Sequence, residues 1–598
     1  GKQLRFIRWY GQAISFPKLT SVGSSFYFLL GSGNISAPEL ATVGGWITVN
    51  NFKGERVFQL PKLHTVGGRI HIADTDTIEV IRLPLLQRVH SLYIGSNKRL
   101  QSFHVPVLHT VSSALPIPSS GENEVKFERN DVLTRIEIVP ERFAGCTSYV
   151  INSNPLLCDL SFLSRLNHSG PMVINTNQFG ISGSSNCTID LPLLEGVSDY
   201  CDVEYNTPVQ YHSHGNLAIN SNAAVRAVDI SRLHRVGQLQ IVRNPVLVEL
   251  NASSLRHPHG GVYIVGEQRM LTQPLARLDW ASMFCDGPRV ATWSLTRSEM
   301  DVSLSLPNVY KVASLFVNEN PKLPAVVQLA SLSFVDDTLE VKQNPLITAV
   351  VADLLTRASN LRISHNTRLV ALNLTSLGIV TGELEVSGNG QLPAVNLPQL
   401  TQCGEAIFSG NAIMRTLAMP LLVTVQKTST SSGSLVMSNC RVLTNLSLPA
   451  LETVEGELRV ESNLALQALS APVLRVSGGV YVISNFLLWD LQLPSLTEVS
   501  TDDLEIGRNR VASFDFVSTL VRVGGALKLY DLDMLQSSWL LPPMPPSALS
   551  PPPPRPPSLP PPPFQPAPPT SPSSPSSPHA NTPAPPARPP FPPLSPPS

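Results

Sequence analysis

The feature that most constrains this chain is internal self-similarity. The segments LPKLHTVGGRIHI from Leu60, LPLLQRVHSLYIGSN from Leu83, LPALETVEGELRVESN from Leu448 and LPSLTEVSTDDLEIGRN from Leu493 share one pattern, L-P-x-L-x-x-V-x-x-x-L-x-V/I-x-x-N. Between residues 306 and 493 the unit recurs in steps of 22 or 23, with one step of 29 where KTSTSSGS follows Gln426. Starts at 37, 60, 83 and 105 continue the period on the N-terminal side. A fixed period of this length specifies a solenoid, because one unit cannot bury its apolar face without a neighbour stacked on it.

The physics of a single coil follows from residue types. L-x-V/I alternation is a short strand with one buried face. Equivalent strands of successive coils then lie side by side in a parallel sheet, about 4.8 Å apart. A coil this short has no room for a full helix, and proline after leucine discourages one, so L-P-x-L-x-x-V reads as an extended or short-turn back side. Three residues beyond the second apolar position stands an asparagine, at Asn97, Asn130, Asn154, Asn177, Asn222, Asn244, Asn320, Asn344, Asn366, Asn389, Asn411, Asn463, Asn485 and Asn509. Stacked in register, these side chains can satisfy backbone groups of the turn leaving each strand. Cys440 takes the asparagine position in MSNC and Cys403 takes a valine position in LPQLTQC, so both read as structural core thiols. The predicted fold is all-β: a parallel β-solenoid followed by a disordered polyproline-II tail.

Register quality and composition divide the chain. Regular coils over 1–145 are followed by irregular, cysteine-containing coils over 146–305 and by regular coils over 306–540. Residues 541–598 are a proline-rich stalk or linker, and 29 of the 55 prolines fall in 542–598. That tail has two arginines and no acidic residue, and it cannot bury a core. Its expected state is polyproline II.

The repeat L-x-x-V-x-G-x-L-x-I-x-x-N-x-x-L resembles the receptor L-domain family, relatives of leucine-rich repeats found in receptor ectodomains and fungal cell-surface proteins. The likeness covers roughly residues 4–540 and implies a right-handed β-helix-like solenoid that recognises ligands outside the cell. In the tail, SPPPP at Ser550 and the SP pairs at Ser571, Ser574 and Ser577 resemble the extensin and arabinogalactan motifs of hydroxyproline-rich wall glycoproteins. That resemblance implies prolyl hydroxylation and O-glycosylation.

Several features permit a secretory history. Among the seven cysteines, Cys146, Cys158, Cys187 and Cys201 lie close enough in sequence to form two bridges in an oxidising compartment, with the pairing open. Six N-x-S/T sequons fall at Asn34, Asn167, Asn186, Asn251, Asn373 and Asn445. The first residues lack a signal-peptide layout and the repeat begins mid-coil, so a truncated start is expected. No segment has the ~18 consecutive apolar residues of a membrane span.

Composition and motifs narrow the function. Forty-three basic residues against 44 acidic ones leave a net charge of −1, which argues against a nucleic-acid binder. Metalloprotease, P-loop, dinucleotide and nucleophile-elbow motifs are absent. The H-x-H pairs His212/His214 and His257/His259 read as surface histidines, and no cofactor or metal is expected. The outward residue of each strand forms one column: Phe316, Glu340, Arg362, Glu385, Ile407, Val436, Arg459, Tyr481, Glu505 and Lys528. Glu340, Arg362 and Glu385 are expected to pair laterally. Phe316, Arg459 and Tyr481 are candidates for a recognition stripe, against the plainer reading of a solvated sheet face. The expected function is non-catalytic recognition of a protein or polysaccharide at the cell surface or wall. The alternative is the ligand-binding ectodomain of a larger transmembrane receptor, for instance one of receptor-kinase type.

Overall fold

A computed structural model describes residues 3–111, 124–139, 147–175, 187–197, 201–202, 207–208, 215–255, 257–266, 292–298, 304–306, 309–511 and 518–532. The chain divides into two units, 1–540 and 541–598. The second, with the extensin-like motifs, lies outside the described residues.

The first unit is a parallel β-solenoid. Its largest sheet has 28 strands, and every described pairing is parallel except the hairpin of Cys201–Asp202 with Thr207–Pro208. Among the described residues there is no α-helix, and a 3₁₀ turn spans Ser161–Leu163. The coil beginning at Leu448 shows how residues become structure. Pro449 and Ala450 make a turn closed by Leu451 N–H donating to the Leu448 carbonyl. The strand Thr453–Glu461 follows, with Leu458 and Val460 fully buried and Arg459 between them facing out. The chain then turns at Ser462 and Asn463 into the short strand Ala468–Ser470, whose only inward residue is Leu469. Two kinds of face result: a wide sheet built on L-x-V/I strands, and narrow sheets of three-residue strands such as the five-stranded one from Ala394–Asn396 to Asp490–Gln492.

The turn after each wide-sheet strand is left-handed. Ser96, Gln343, His365, Ser462 and Ser484 have φ between 52° and 59°, each one residue before the asparagine position. For an L-residue that conformation costs about 1–2 kcal/mol. The asparagine that follows is what holds it. Asn344 Oδ1 accepts from the Asn320 N–H (3.1 Å), and its Nδ2 donates to the Val317 carbonyl (2.7 Å), both in the preceding coil. Asn366 repeats this on Asn344 (3.0 Å) and Val341 (2.8 Å). The ladder also links Asn97, Asn130 and Asn154, joins Asn222 to Asn244, and joins Asn463, Asn485 and Asn509. All of these side chains are buried. Asn177 lies outside the described residues. Thr75 and Ser298 occupy the same register and donate their N–H to Asn97 and Asn320, respectively. Cys440 donates its N–H to Asn463 Oδ1, but its thiol offers only weak contacts, 3.7 Å from the Phe408 carbonyl.

The wide sheet runs without interruption through the irregular coils. The strand Glu124–Glu128 pairs with Ser148–Asn152, which pairs with Met172–Asn175, and that with Leu217–Asn220. Nearer the N-terminus the core becomes aromatic: Phe6 stacks on Phe28 at 5.1 Å, and Phe26 meets Phe28 edge-on at 4.7 Å.

Two substitutions test the ladder. Asn389→Ala removes the partners of the Asn366 N–H and the Ile363 carbonyl. At about 1–3 kcal/mol per orphaned buried group, it is expected to destabilise the solenoid by roughly 2–5 kcal/mol. It should also speed amide exchange in the two adjoining coils. Cys440→Asn restores the register and is expected to stabilise by about 1 kcal/mol. Urea midpoints check both, and an unchanged midpoint for Asn389→Ala would remove the ladder from the account of stability.

Candidate functional site

The outward positions of the wide sheet are the residues between the two buried apolar positions of each strand. Strand pairing puts Phe316 opposite Glu340, then Arg362, Glu385, Ile407, Val436, Arg459, Tyr481, Glu505 and Lys528 in unbroken register. Arg459 and Tyr481 meet: the guanidinium carbon sits 4.2 Å from the ring centroid, an attraction of about 0.5–1 kcal/mol at an exposed site. Arg459 is held in place by Glu457 (2.9 Å) and Glu461 (3.6 Å) on its own strand. Burial, with Asp502 nearby, pushes the Tyr481 phenol above its usual range, so it remains a neutral hydrogen-bonding group. Phe316 is not part of this cluster. It stands six strands from Arg459, roughly 29 Å at about 4.8 Å per strand.

The lateral ion pairs differ from the sequence expectation in one respect. Arg362 does reach Glu340, at 3.8 Å, but its close partner is Glu383 (2.6 Å) rather than Glu385. Glu383 lies two residues earlier on the next strand, where the arginine's length carries it diagonally, while Glu385 accepts a hydrogen bond from the Ser387 hydroxyl.

The same column extends toward the N-terminus through residues that the sequence reading passed over. Arg5, Tyr27, Thr48, His71, Tyr93 and Lys126 are successive register partners. His71 stacks on Tyr93 at 4.6 Å, and Lys126 covers the ring at 5.5 Å. Burial, reinforced by Arg69, lowers the His71 pKa, so the imidazole packs there as a neutral ring. The signal was present in F-Y-F, I-T-V, I-H-I, L-Y-I and V-K-F, each an apolar pair around an outward residue.

The remaining candidates fall elsewhere. Cys158 and Cys187 are joined by a disulfide, one of the pairings left open by the sequence. Cys146 and the side chain of Cys201 lie outside the described residues, as do Asn186, His212 and His214 and the side chains of His257 and His259. Five sequons are described and all are exposed. Asn251, Asn373 and Asn445 flank the buried residue of short strands, Asn167 precedes His168–Ser169, and Asn34 lies late in Phe26–Ser36. None of the five takes an outward position of the L-x-V/I register.

Cys403 and Cys440 are buried free thiols, and burial pushes them up to about 12 and about 11. Thiolate is the reactive form, so both are inert near neutral pH. Among the described residues, no helix is long and apolar enough to cross a membrane.

Leucine-rich coils, a buried asparagine ladder and parallel strands define a parallel β-solenoid protein similar to leucine-rich repeats and L-domains. Known proteins extend this. No family model matches the chain. Over 170 residues it is 28% identical to the protein Ecm33 of Aspergillus fumigatus, covering 26% of this chain and 41% of that protein. Over 160 residues it is 26% identical to a cell surface GPI-anchored protein of Arthroderma benhamiae, covering 23% of this chain and 39% of the relative. The chain thus spans about two fifths of the length of the curated relatives it matches. Among solved structures, a leucine-rich repeat protein from Bacteroides ovatus overlaps 54% of this chain and 80% of its own at 13% identity, with a TM-score of 0.22, too low to measure a shared fold. One of these relatives is named as a cell surface protein, and the Cys158–Cys187 disulfide suits an oxidising environment.

The two thiols give a direct check of the core. In the folded protein at pH 8, Cys403 and Cys440 are expected to resist iodoacetamide. Both should alkylate fully in denaturant, as read by peptide mass. Rapid labelling of either in the native state would contradict their burial.

Proposed function

We propose that this protein is a non-catalytic recognition protein of the cell surface or wall, and that it binds protein or polysaccharide through the outward face of the wide sheet. The observation that carries this reading is the placement of glycosylation sequons. The described sequons stand off the outward register, so N-glycans there would leave that face uncovered. The face also carries side chains suited to contact: Arg459 held over Tyr481, and Phe316 half-buried farther along. Arginine and the larger aromatic side chains are enriched among the residues that dominate recognition energetics. The Arg459–Tyr481 pair fits a polypeptide partner better than a nucleic acid, because Glu457 and Glu461 beside it would repel phosphates.

The test uses the full chain and isolated fungal cell walls. The protein is expected to be retained, and Arg459→Ala with Tyr481→Ala is expected to weaken retention of the wall protein fraction by about tenfold, equivalent to ~1.4 kcal/mol. Gln492→Ala, on a narrow sheet, should leave retention unchanged. Equal losses from both changes would overturn the assignment to the wide face. No reducing ends should be released from the walls; turnover abolished by a carboxylate substitution would overturn the non-catalytic reading.

A further inference from the structure

The outward face of the wide sheet is not uniform in charge. Three outward positions are available on each strand, one between the two buried apolar residues and one on either side. On the seven consecutive strands from Ser148–Asn152 to Lys311–Asn318 none of these positions carries a charged side chain. The boundaries are abrupt. The preceding strand presents Glu124, Lys126 and Glu128, and the following one presents Glu340 and Lys342. Sequence spacing hides this stretch, because its coils are the irregular ones: Met172 pairs directly with Leu217, 45 positions later.

What replaces charge is amide, hydroxyl and aromatic chemistry. Asn152, Asn175 and Asn220 are register neighbours. Asn175 Oδ1 accepts from the Asn220 N–H (3.2 Å), and Asn220 Oδ1 accepts from the Val242 N–H (3.1 Å). These bonds turn the Asn175 and Asn220 amide oxygens toward the next strand and leave their NH2 ends as donors for a ligand. Gln240 is oriented by its bond to Gln238 (2.8 Å), and the Ser294 and Thr296 hydroxyls pair at 3.0 Å. Tyr263 and Phe316 supply half-buried rings at outward positions on either side of Ser294.

We propose that this charge-free stretch is a binding track for a neutral polysaccharide lying along the solenoid axis. The inference rests on the wide face being the recognising face, and names its ligand. A neutral polyhydroxyl chain needs oriented donors and acceptors and flat apolar surfaces for its ring faces, and it gains nothing from fixed charges. A track repeating every ~4.8 Å suits an extended polymer better than a compact small molecule, which needs a concave site. A charged polymer would be drawn instead to the strands bordering the track, where ionic groups concentrate.

The experiment is affinity electrophoresis of the full chain in native gels cast with laminarin, galactomannan or polygalacturonate. The neutral polymers are expected to retard the protein with little dependence on salt, since screening acts on charge. Tyr263→Ala is expected to weaken retardation about tenfold, and Ser294→Arg, which puts bulk and charge into the track, to abolish it. Gln492→Ala, on a narrow sheet, should leave it unchanged. Unaltered urea midpoints separate lost binding from lost folding. No retardation by either neutral polymer, stronger retardation by polygalacturonate, or an undiminished effect in Ser294→Arg would each overturn the track. Should retention on cell walls persist in that case, recognition by the wide face survives and only its polysaccharide ligand falls.

Discussion

Everything in this solenoid depends on one interaction: the buried asparagine amide that bridges each coil to the one before it. Every coil must leave its wide-sheet strand sharply, and it does so through a left-handed residue that is intrinsically unfavourable. The turn also strands a backbone N–H and a carbonyl in an apolar interior, where each unpaired group costs about 1–3 kcal/mol. A single asparagine answers both groups, because a primary amide presents one acceptor and a donor on the same short stem. A residue that can only accept or only donate fails half the task. At Cys440 the backbone half of the ladder is kept while the side chain makes only weak contacts.

Because the ladder holds register, the outward face becomes a surface whose composition can vary strand by strand. Inward positions are restricted to leucine, valine and isoleucine by packing, and the asparagine position by hydrogen bonding. The position between the two apolar residues answers to neither constraint. The same column therefore holds a stacked His71–Tyr93 pair near one end, uncharged side chains through the middle, and alternating Glu and Arg beyond Phe316. Lateral packing still acts there, but more weakly, at about 0.2–1 kcal/mol per cross-strand pair against about 1.5–3 kcal/mol for burial of a core leucine.

Much of the architecture was legible in the sequence because the coil is short and its constraints recur. The period, the alternation and the asparagine predicted a parallel solenoid, and the structure is one. The outward column from Phe316 to Lys528 followed from taking the residue between the two buried apolar positions of each strand. Other features escaped for physical reasons. The part of that column from Arg5 to His71 lacked the marker that anchors the count, since Thr75 replaces asparagine in one coil and buried Phe52 stands at that register in the coil before it. The pairing of Cys158 with Cys187 depends on which coils stack, which spacing alone does not reveal. The choice of Glu383 over Glu385 by Arg362 is a matter of side-chain reach across a pleat, invisible to a one-dimensional pattern.

The irregular coils show how a repeat protein separates stability from recognition. Between Met172 and Leu217 the chain departs from the period for most of a coil, yet the two strands still pair in register, and Asn222 still donates to the Ile174 carbonyl across the gap. Insertions are tolerated because loop-closure entropy grows only slowly with length, whereas one lost rung would expose two buried backbone groups. Selection on the outer face can therefore act where spacing is irregular without disturbing the ladder. In such a chain the places where the period fails are those where the surface is freest to differ, and the uncharged stretch of the wide sheet lies on these coils.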